Sequence, residues 1–144
     1  FINAYTFEGS DGLLTDAALD YIPKKDPDFV FLYMVETDEK GGHGYGWMSP
    51  EYLGYISAAI DNVKRVIDAY GDKYTVIITA DHGGHDRSHG SDLPEDMTIP
   101  VLFCGKPFEK GKEISDVSIK DVAVTIAKLL DVPAVKEWEG KALV

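Results

Sequence analysis

Cysteine, basic residues and long apolar runs are all scarce in this sequence of 144 residues. The single cysteine, Cys104, excludes an internal disulfide framework and a zinc site built from several thiolates. No stretch reaches the roughly 18 apolar residues of a membrane-spanning helix. Fourteen Lys and Arg against 25 Asp and Glu give a net charge of −11, which argues against binding to a nucleic-acid backbone or an anionic membrane. A small anionic substrate would need a local positive centre, and a bound metal ion is the obvious one.

The composition is that of an ordinary globular protein, with 44% hydrophobic and 27% charged residues. The length suits one domain, or a piece of one, with enough chain to bury a core. Residue 1 is Phe rather than Met, so we expect the chain to be processed or excised from something longer. Any signal sequence would lie upstream of Phe1, and the compartment therefore stays open.

Apolar patterning predicts alternating helices and strands. The predicted helices span residues 15–22, a long stretch that starts at Ser49-Pro50 and closes at Gly71, and residues 118–130 with a Ser118/Asp121 cap. The predicted strands span residues 29–35, 74–80 and 99–104, and residues 1–10 could hold a strand end followed by a loop. The seven consecutive apolar residues of 29–35 predict a strand buried on both faces. The pattern is typical of an α/β protein with a largely parallel sheet.

All four histidines lie in two glycine-rich segments that follow predicted strands, residues 36–46 and 81–90. Sites in open α/β sheets form beyond the carboxyl ends of the strands. Any one of these histidines alone would more often be a surface residue. Four together, with Asp38 and Asp81 at the strand ends, predict a site for zinc or a similar metal, because imidazole and carboxylate are the ligands such ions prefer.

The sequence resembles the alkaline phosphatase superfamily, in particular its type I phosphodiesterase/nucleotide pyrophosphatase branch. Three stretches carry the resemblance: DEKGGHGYG running into SPEYL, then TADHGGHDRSHG, and the tail IKDVAVTIAKLLDVPAVKEWEGKAL. They cover roughly residues 29–144 in an order more specific than any one motif. The resemblance implies an α/β three-layer sandwich with a largely parallel sheet whose N-terminal part is missing. Residues 1–144 would form the C-terminal part of one catalytic domain.

The resemblance also implies two divalent metal ions, usually zinc. By motif, Asp38, His43 and His89 would hold one ion, and Asp81 and His82 would help to hold the other. The family's Ser or Thr nucleophile has no match here and would lie upstream, so we expect the chain alone to be inactive.

One spacing departs from the family pattern. Family members commonly have three residues between the metal-binding aspartate and histidine, whereas four separate Asp38 from His43, because Gly41-Gly42 doubles the glycine. A glycine pair can bulge and restore the geometry. The departure leaves Glu36 and Glu39 open as alternatives to Asp38.

Several neighbouring residues have two interpretations. His85 could contact substrate or support a metal ligand, or it could face solvent. Asp86 and Arg87 could form a surface pair, or Arg87 could grip an anion near the metals. Tyr45 and Trp47 could line a substrate pocket, although burial is the commoner fate of such aromatic residues.

The function implied is metal-dependent hydrolysis of a phosphoric ester: a phosphodiester, a nucleotide pyrophosphate or a phosphomonoester. A sulfatase is one alternative, but sulfatases commonly carry Asp-Asn where this chain has Asp81-His82 and use calcium, which histidine does not suit. A metal-dependent phosphomutase of the same superfamily is another. A non-catalytic metal-binding or partner-binding module is the alternative from a different class.

Overall fold

The computed structural model describes residues 9–144, and most of the stretch 1–10, where the sequence allows a strand end followed by a loop, lies outside them. The elements are α1 Asp11–Lys25, a π-helix Thr37–Gly42, α2 His43–Tyr45, α3 Pro50–Tyr70, β1 Val76–Thr79, α4 Pro94–Met97, β2 Val101–Cys104 and α5 Ile119–Leu129. Helix α3 packs against both α1 and the π-helix. Within residues 9–144, no helix is long and apolar enough to cross a membrane.

Helix α1 begins four residues earlier and ends three residues later than the apolar pattern predicts. The Ser10 side chain caps its first turn, and Asp26 ends it in the left-handed conformation, with φ of 47°. Pro23 lies inside the last turns and has no N–H, so the Leu19 carbonyl loses its usual helical donor. The Tyr70 hydroxyl donates to that carbonyl instead, at 2.8 Å. This hydrogen bond lets α1 run through the proline and ties it to the end of α3.

The predicted N-terminal caps of α3 and α5 are confirmed. The Ser49 hydroxyl accepts a hydrogen bond from the first turn of α3, and Gly71 follows its last residue. Ser118 and Asp121 form the reciprocal capping box at the start of α5, and Asp121 also accepts from the Lys141 N–H at 2.8 Å. The C-terminal tail is thereby fastened to α5.

The two described strands pair antiparallel, with Val76 opposite Cys104 and Thr79 opposite Val101. The sequence pattern predicts a largely parallel sheet, and this antiparallel pair departs from it. Residues 80–100 connect the two strands at the same end of the pair, through loops and the single turn of α4. A parallel pair would need a connection that crosses to the opposite end, usually by a long helix. The larger three-layer sandwich remains a prediction.

The buried strand predicted over residues 29–35 is wrong for the described part of the chain. These residues are irregular and join no ladder, and Phe31 is 77% exposed. The apolar run predicts burial, but a strand also needs a ladder of hydrogen bonds, and among residues 9–144 only β1 and β2 form one. Hydrogen bonds anchor the end of this segment to the start of α1. The buried Asp11 carboxylate accepts from the N–H groups of Val35 and Glu36, and the Glu36 carboxylate accepts from the Asp11 N–H.

Candidate metal centre

A π-helix follows this anchor and absorbs the extra glycine of the first ligand segment. The His43 N–H bonds to the Asp38 carbonyl, a five-residue step in place of the four of an α-helix. Both side chains are thereby brought to one side of the turn. The glycine pair lets neighbouring rings approach, since a Cβ on Gly42 would lie 2.5 Å from the ring of Trp47.

Three of the predicted ligands converge. One side-chain ligand atom from each of Asp38, His43 and His89 lies within 4.8 Å of the others. Asp38 Oδ1 is 3.6 Å from Nε2 of His43 and 3.8 Å from Nε2 of His89. That oxygen is buried and has no hydrogen-bond partner among residues 9–144. An unsatisfied buried carboxylate oxygen is costly, and a cation would satisfy it, so this donor set fits a divalent metal ion.

The structure brings Asp38, and neither of its acidic neighbours, to the histidines. The Glu36 carboxylate is occupied by the Lys40 ammonium and by the Asp11 N–H. The hydrogen bond from Lys40, followed by that from Asp11, lowers the pKa of Glu36. Glu39 does not belong to the ligand cluster found within residues 9–144.

Backbone carbonyls orient two of the imidazoles. His43 Nδ1 lies 3.0 Å from the Arg87 carbonyl, and His82 Nδ1 lies 2.7 Å from the Gly83 carbonyl. A carbonyl oxygen only accepts, so each Nδ1 carries the proton and each Nε2 offers its lone pair. For His43 that lone pair is on the Asp38 side. A hydrogen bond on the far ring nitrogen is the usual support of a metal-binding histidine.

Asp81 and His82 lie beside the three-residue cluster without joining it. The ring of His82 stacks on that of His89, with centroids 3.7 Å apart and planes 13° apart. Asp81 is exposed, lies 3.8 Å from His82 Nε2, and accepts a hydrogen bond from the Tyr33 hydroxyl at 3.3 Å. The negative charge of Asp81 is the main cause of a raised Tyr33 pKa. The two predicted ligand sets therefore meet at the stacked imidazoles.

Trp47 packs at the centre of the site; its place in the sequence indicates a pocket-lining or buried residue but does not predict its contacts with the histidines. Its ring lies between Gly42 and Gly84, where an added Cβ would approach it to 2.5 and 2.2 Å. The same ring makes edge contacts with His43 and His89, at centroid distances of 5.4 and 5.9 Å. The glycine pairs at 41–42 and 83–84 were the available signal, because adjacent glycines often mark close approach of another group.

His85 pairs with Asp96 of α4, which is not one of the predicted metal ligands, so its role at the metal centre stays a prediction. Its Nδ1 lies 2.7 Å from Asp96 Oδ1, and the side chain of Asp96 is only 1% exposed. Asp96 also accepts from the N–H and hydroxyl of Ser91. His85 first, and Ser91 next, lower the pKa of Asp96 to about 2, while Asp96 raises the pKa of His85. The pair fastens the ligand-bearing loop to α4. Its acidic partner lies eleven residues away and belongs to no motif, so sequence reasoning did not find it.

Comparison with known proteins places the chain in a family. A profile of the Metalloenzyme superfamily matches residues 3–134. A phosphopentomutase of Alkaliphilus oremlandii is 30% identical over 140 residues, which cover 94% of this chain and 34% of the relative. A 2,3-bisphosphoglycerate-independent phosphoglycerate mutase of Cellvibrio japonicus is 29% identical over 164 residues, covering 99% and 32%.

GPI ethanolamine phosphate transferase 1 of Emericella nidulans is 34% identical over 96 residues, which cover 62% of this chain and 10% of the relative. The chain thus spans about a third of the length of the two mutases. No solved structure matches it significantly. Because the profile covers most of the chain and coincides with both ligand segments, the chain belongs to the Metalloenzyme superfamily, the alkaline-phosphatase-like metalloenzymes.

Proposed function

We propose that this protein transfers the phosphoryl group of a phosphoric ester with the help of divalent metal ions, zinc being the best fit to the donors. The observation that carries the proposal is the convergence of Asp38, His43 and His89 around a buried carboxylate oxygen to which no group of residues 9–144 donates a hydrogen bond. One carboxylate and two imidazoles suit zinc and its neighbours and do not suit calcium. This donor set therefore disfavours the calcium-dependent sulfatase alternative.

The residues have separate tasks in this proposal. Asp38, His43 and His89 hold one ion, and Asp81 and His82 contribute to a second beside it. The cations would supply positive charge to the phosphate oxygens, which otherwise repel a nucleophile. The carbonyls of Gly83 and Arg87 keep His82 and His43 in the tautomer that can bind metal. We assign no nucleophile within this chain; the family resemblance suggests a Ser or Thr elsewhere in the protein.

Hydrolysis and intramolecular transfer are the two forms that the reaction can take. Hydrolysis follows from the motif resemblance, with water as the final acceptor. The names of the first relatives, phosphopentomutase and phosphoglycerate mutase, favour transfer to another hydroxyl of the substrate. The shared chemistry is metal-dependent phosphoryl transfer, and the acceptor distinguishes the two.

Phosphorus NMR on the full protein with a pentose 1-phosphate and zinc tests both points at once. A mutase would convert the substrate to the 5-phosphate, and a hydrolase would release inorganic phosphate. We expect either product to require metal and to vanish with His89→Ala, whereas Asp61→Asn, at an exposed position of α3, should behave as wild type. Full turnover in chelator, or by the His89→Ala variant, would overturn the proposed function.

A further inference from the structure

An open cleft of about 510 Å³ lies next to the candidate metal centre. It is lined by Tyr45, Gly46, Trp47, Asp86 and Arg87. Two of these residues also belong to the metal centre. Trp47 contacts the rings of His43 and His89, and the Arg87 carbonyl pairs with His43 Nδ1. A molecule whose phosphate reaches the metal ligands would therefore place its remaining part against this cleft.

Arg87 gives the cleft a cationic side chain that forms no ion pair within residues 9–144. The chain has only two arginines and a net charge of −11. Arg65 pairs with Asp16 between α3 and α1, but Arg87 makes no ion pair with any residue from 9 to 144. The Asp86–Arg87 surface pair considered from the sequence is not formed. An unpaired guanidinium beside a metal centre is suited to bind an anion, since its planar fork matches phosphate and carboxylate oxygens.

The backbone at residues 86–87 is held by contacts with the 45–47 turn, which fixes the position of the Arg87 backbone. The Trp47 N–H donates to the Asp86 carbonyl at 2.7 Å. Gly46 adopts φ of 100°, and a Cβ there would lie 2.9 Å from the same carbonyl. These contacts join the 45–47 turn to residues 86–87. The exposed guanidinium thus extends from an ordered support beside the ligands.

The rest of the lining suits a small hydroxylated carbon skeleton. Trp47 offers ring surface, and Tyr45 stacks on Tyr55 with ring centroids 6.4 Å apart. Aromatic faces pack well against the carbon atoms of a sugar or a short chain. The exposed Asp86 carboxylate can accept hydrogen bonds from hydroxyl groups.

We propose that this cleft binds the non-reacting end of the substrate, and that Arg87 selects phosphoric esters that carry a second anionic group. The second group is a phosphate or a carboxylate, because the guanidinium fork pairs with both. The inference rests on the proposed function, since it places the reacting phosphate at the metal ligands.

Calorimetric binding titrations of the zinc-loaded full protein test the inference with two matched ligand pairs. The affinities of fructose 1,6-bisphosphate and fructose 6-phosphate are compared to measure the effect of a second phosphate. Those of 3-phosphoglycerate and glycerol 3-phosphate are compared to measure the effect of a carboxylate. In at least one pair, the member with two anions should bind about tenfold more tightly or better. The pair with the larger ratio identifies which anion the cleft prefers.

Substitutions assign that preference to Arg87. Arg87→Ala should reduce the affinity ratio of the preferred pair to below about threefold, and Arg87→Lys should retain part of it. Arg65→Ala, the matched loss of the other arginine, should leave the ratio at its wild-type value. Because Arg87 is exposed, we expect both variants to fold, so a changed affinity ratio would reflect the lost side chain.

The inference falls if wild type binds both members of each pair equally, or if Arg87→Ala keeps the full ratio, while the single-anion esters still bind in a zinc-dependent manner. If no ester binds with or without zinc, the proposed function falls and this inference falls with it. The two failures are therefore distinguishable.

Discussion

Packing of Trp47 between two glycines makes the site sensitive to a single methyl group. An alanine at position 84 would place its Cβ 2.2 Å from Trp47 Cε2, whereas ordinary contact begins near 3.4 Å. The ring would have to retreat by about 1.2 Å. Its movement is limited, because the backbone of Gly42 also lies against the ring, so closely that a Cβ there would be 2.5 Å from it.

We expect Gly84→Ala to lower the free energy of unfolding by about 1–3 kcal/mol, the usual cost of overpacking. The displaced ring also presses on His43 and His89, so zinc affinity should fall by about tenfold or more, as when other supports of a metal ligand are removed. Urea unfolding gives the first quantity, and competition with a chelator gives the second.

Gly54→Ala is the matched control. Gly54 lies within α3, and a Cβ there meets nothing within 4 Å, so alanine should stabilise by about 0.5–1 kcal/mol. Pairing Gly84→Ala with Trp47→Leu should recover at least about 1 kcal/mol relative to additivity, because the smaller side chain leaves room. A cost of Gly84→Ala below about 0.5 kcal/mol, or one unchanged in the Trp47→Leu background, would refute this reasoning.

Two further predictions concern the supports of the site and of the tail. Asp96 has a pKa lowered to about 2, so its stabilising effect is complete above its ordinary value near 4 and should be lost as the pH falls toward 2. His85 has a raised pKa, so its effect is present below about 6.5 and should be lost as the pH rises through the raised value. Asp96→Asn should flatten both limbs of the stability profile measured by urea unfolding; two unchanged limbs would contradict the pairing. Ser118→Ala should cost about 1 kcal/mol as a lost cap. Asp121→Ala should cost about 2 kcal/mol, because it also loses the bond from the tail, and equal costs in thermal unfolding would argue against that second role.

Helix caps were the most predictable part of the fold, because they depend on residues three or four positions apart. Ser49 with Pro50, and Ser118 with Asp121, mark the starts of α3 and α5 correctly. The extension of α1 through Pro23 could not be predicted, because it depends on a hydroxyl from Tyr70. The local sequence pattern therefore predicts that a helix is present, whereas the length of α1 depends on the long-range hydrogen bond from Tyr70.

The sheet was less predictable for the same physical reason. Apolar runs correctly located the strands around Val76–Thr79 and Val101–Cys104 but carry no information on their direction. The run at 29–35 has the composition of a strand, yet ladder formation requires a partner that a sequence pattern does not identify.

The candidate site was predicted by residue type and completed by geometry. The grouping of histidine with Asp38 and Asp81 came from the sequence, and the expected glycine bulge takes the form of a π-helix. The ring of Trp47 and the carboxylate of Asp96 were not foreseen as supports, because their contacts join segments that are distant in sequence.

Zinc titration of the full protein is the most direct measurement of the central claim, that Asp38, His43 and His89 bind a divalent metal ion. We expect zinc to bind and Asp38→Asn to weaken that binding by more than about tenfold, since even outer supports of a ligand contribute that much. Glu39→Gln changes the adjacent acid, which stays outside the cluster, and should leave the affinity unchanged. Wild-type affinity in Asp38→Asn, or a loss confined to Glu39→Gln, would show that Asp38 is not a ligand.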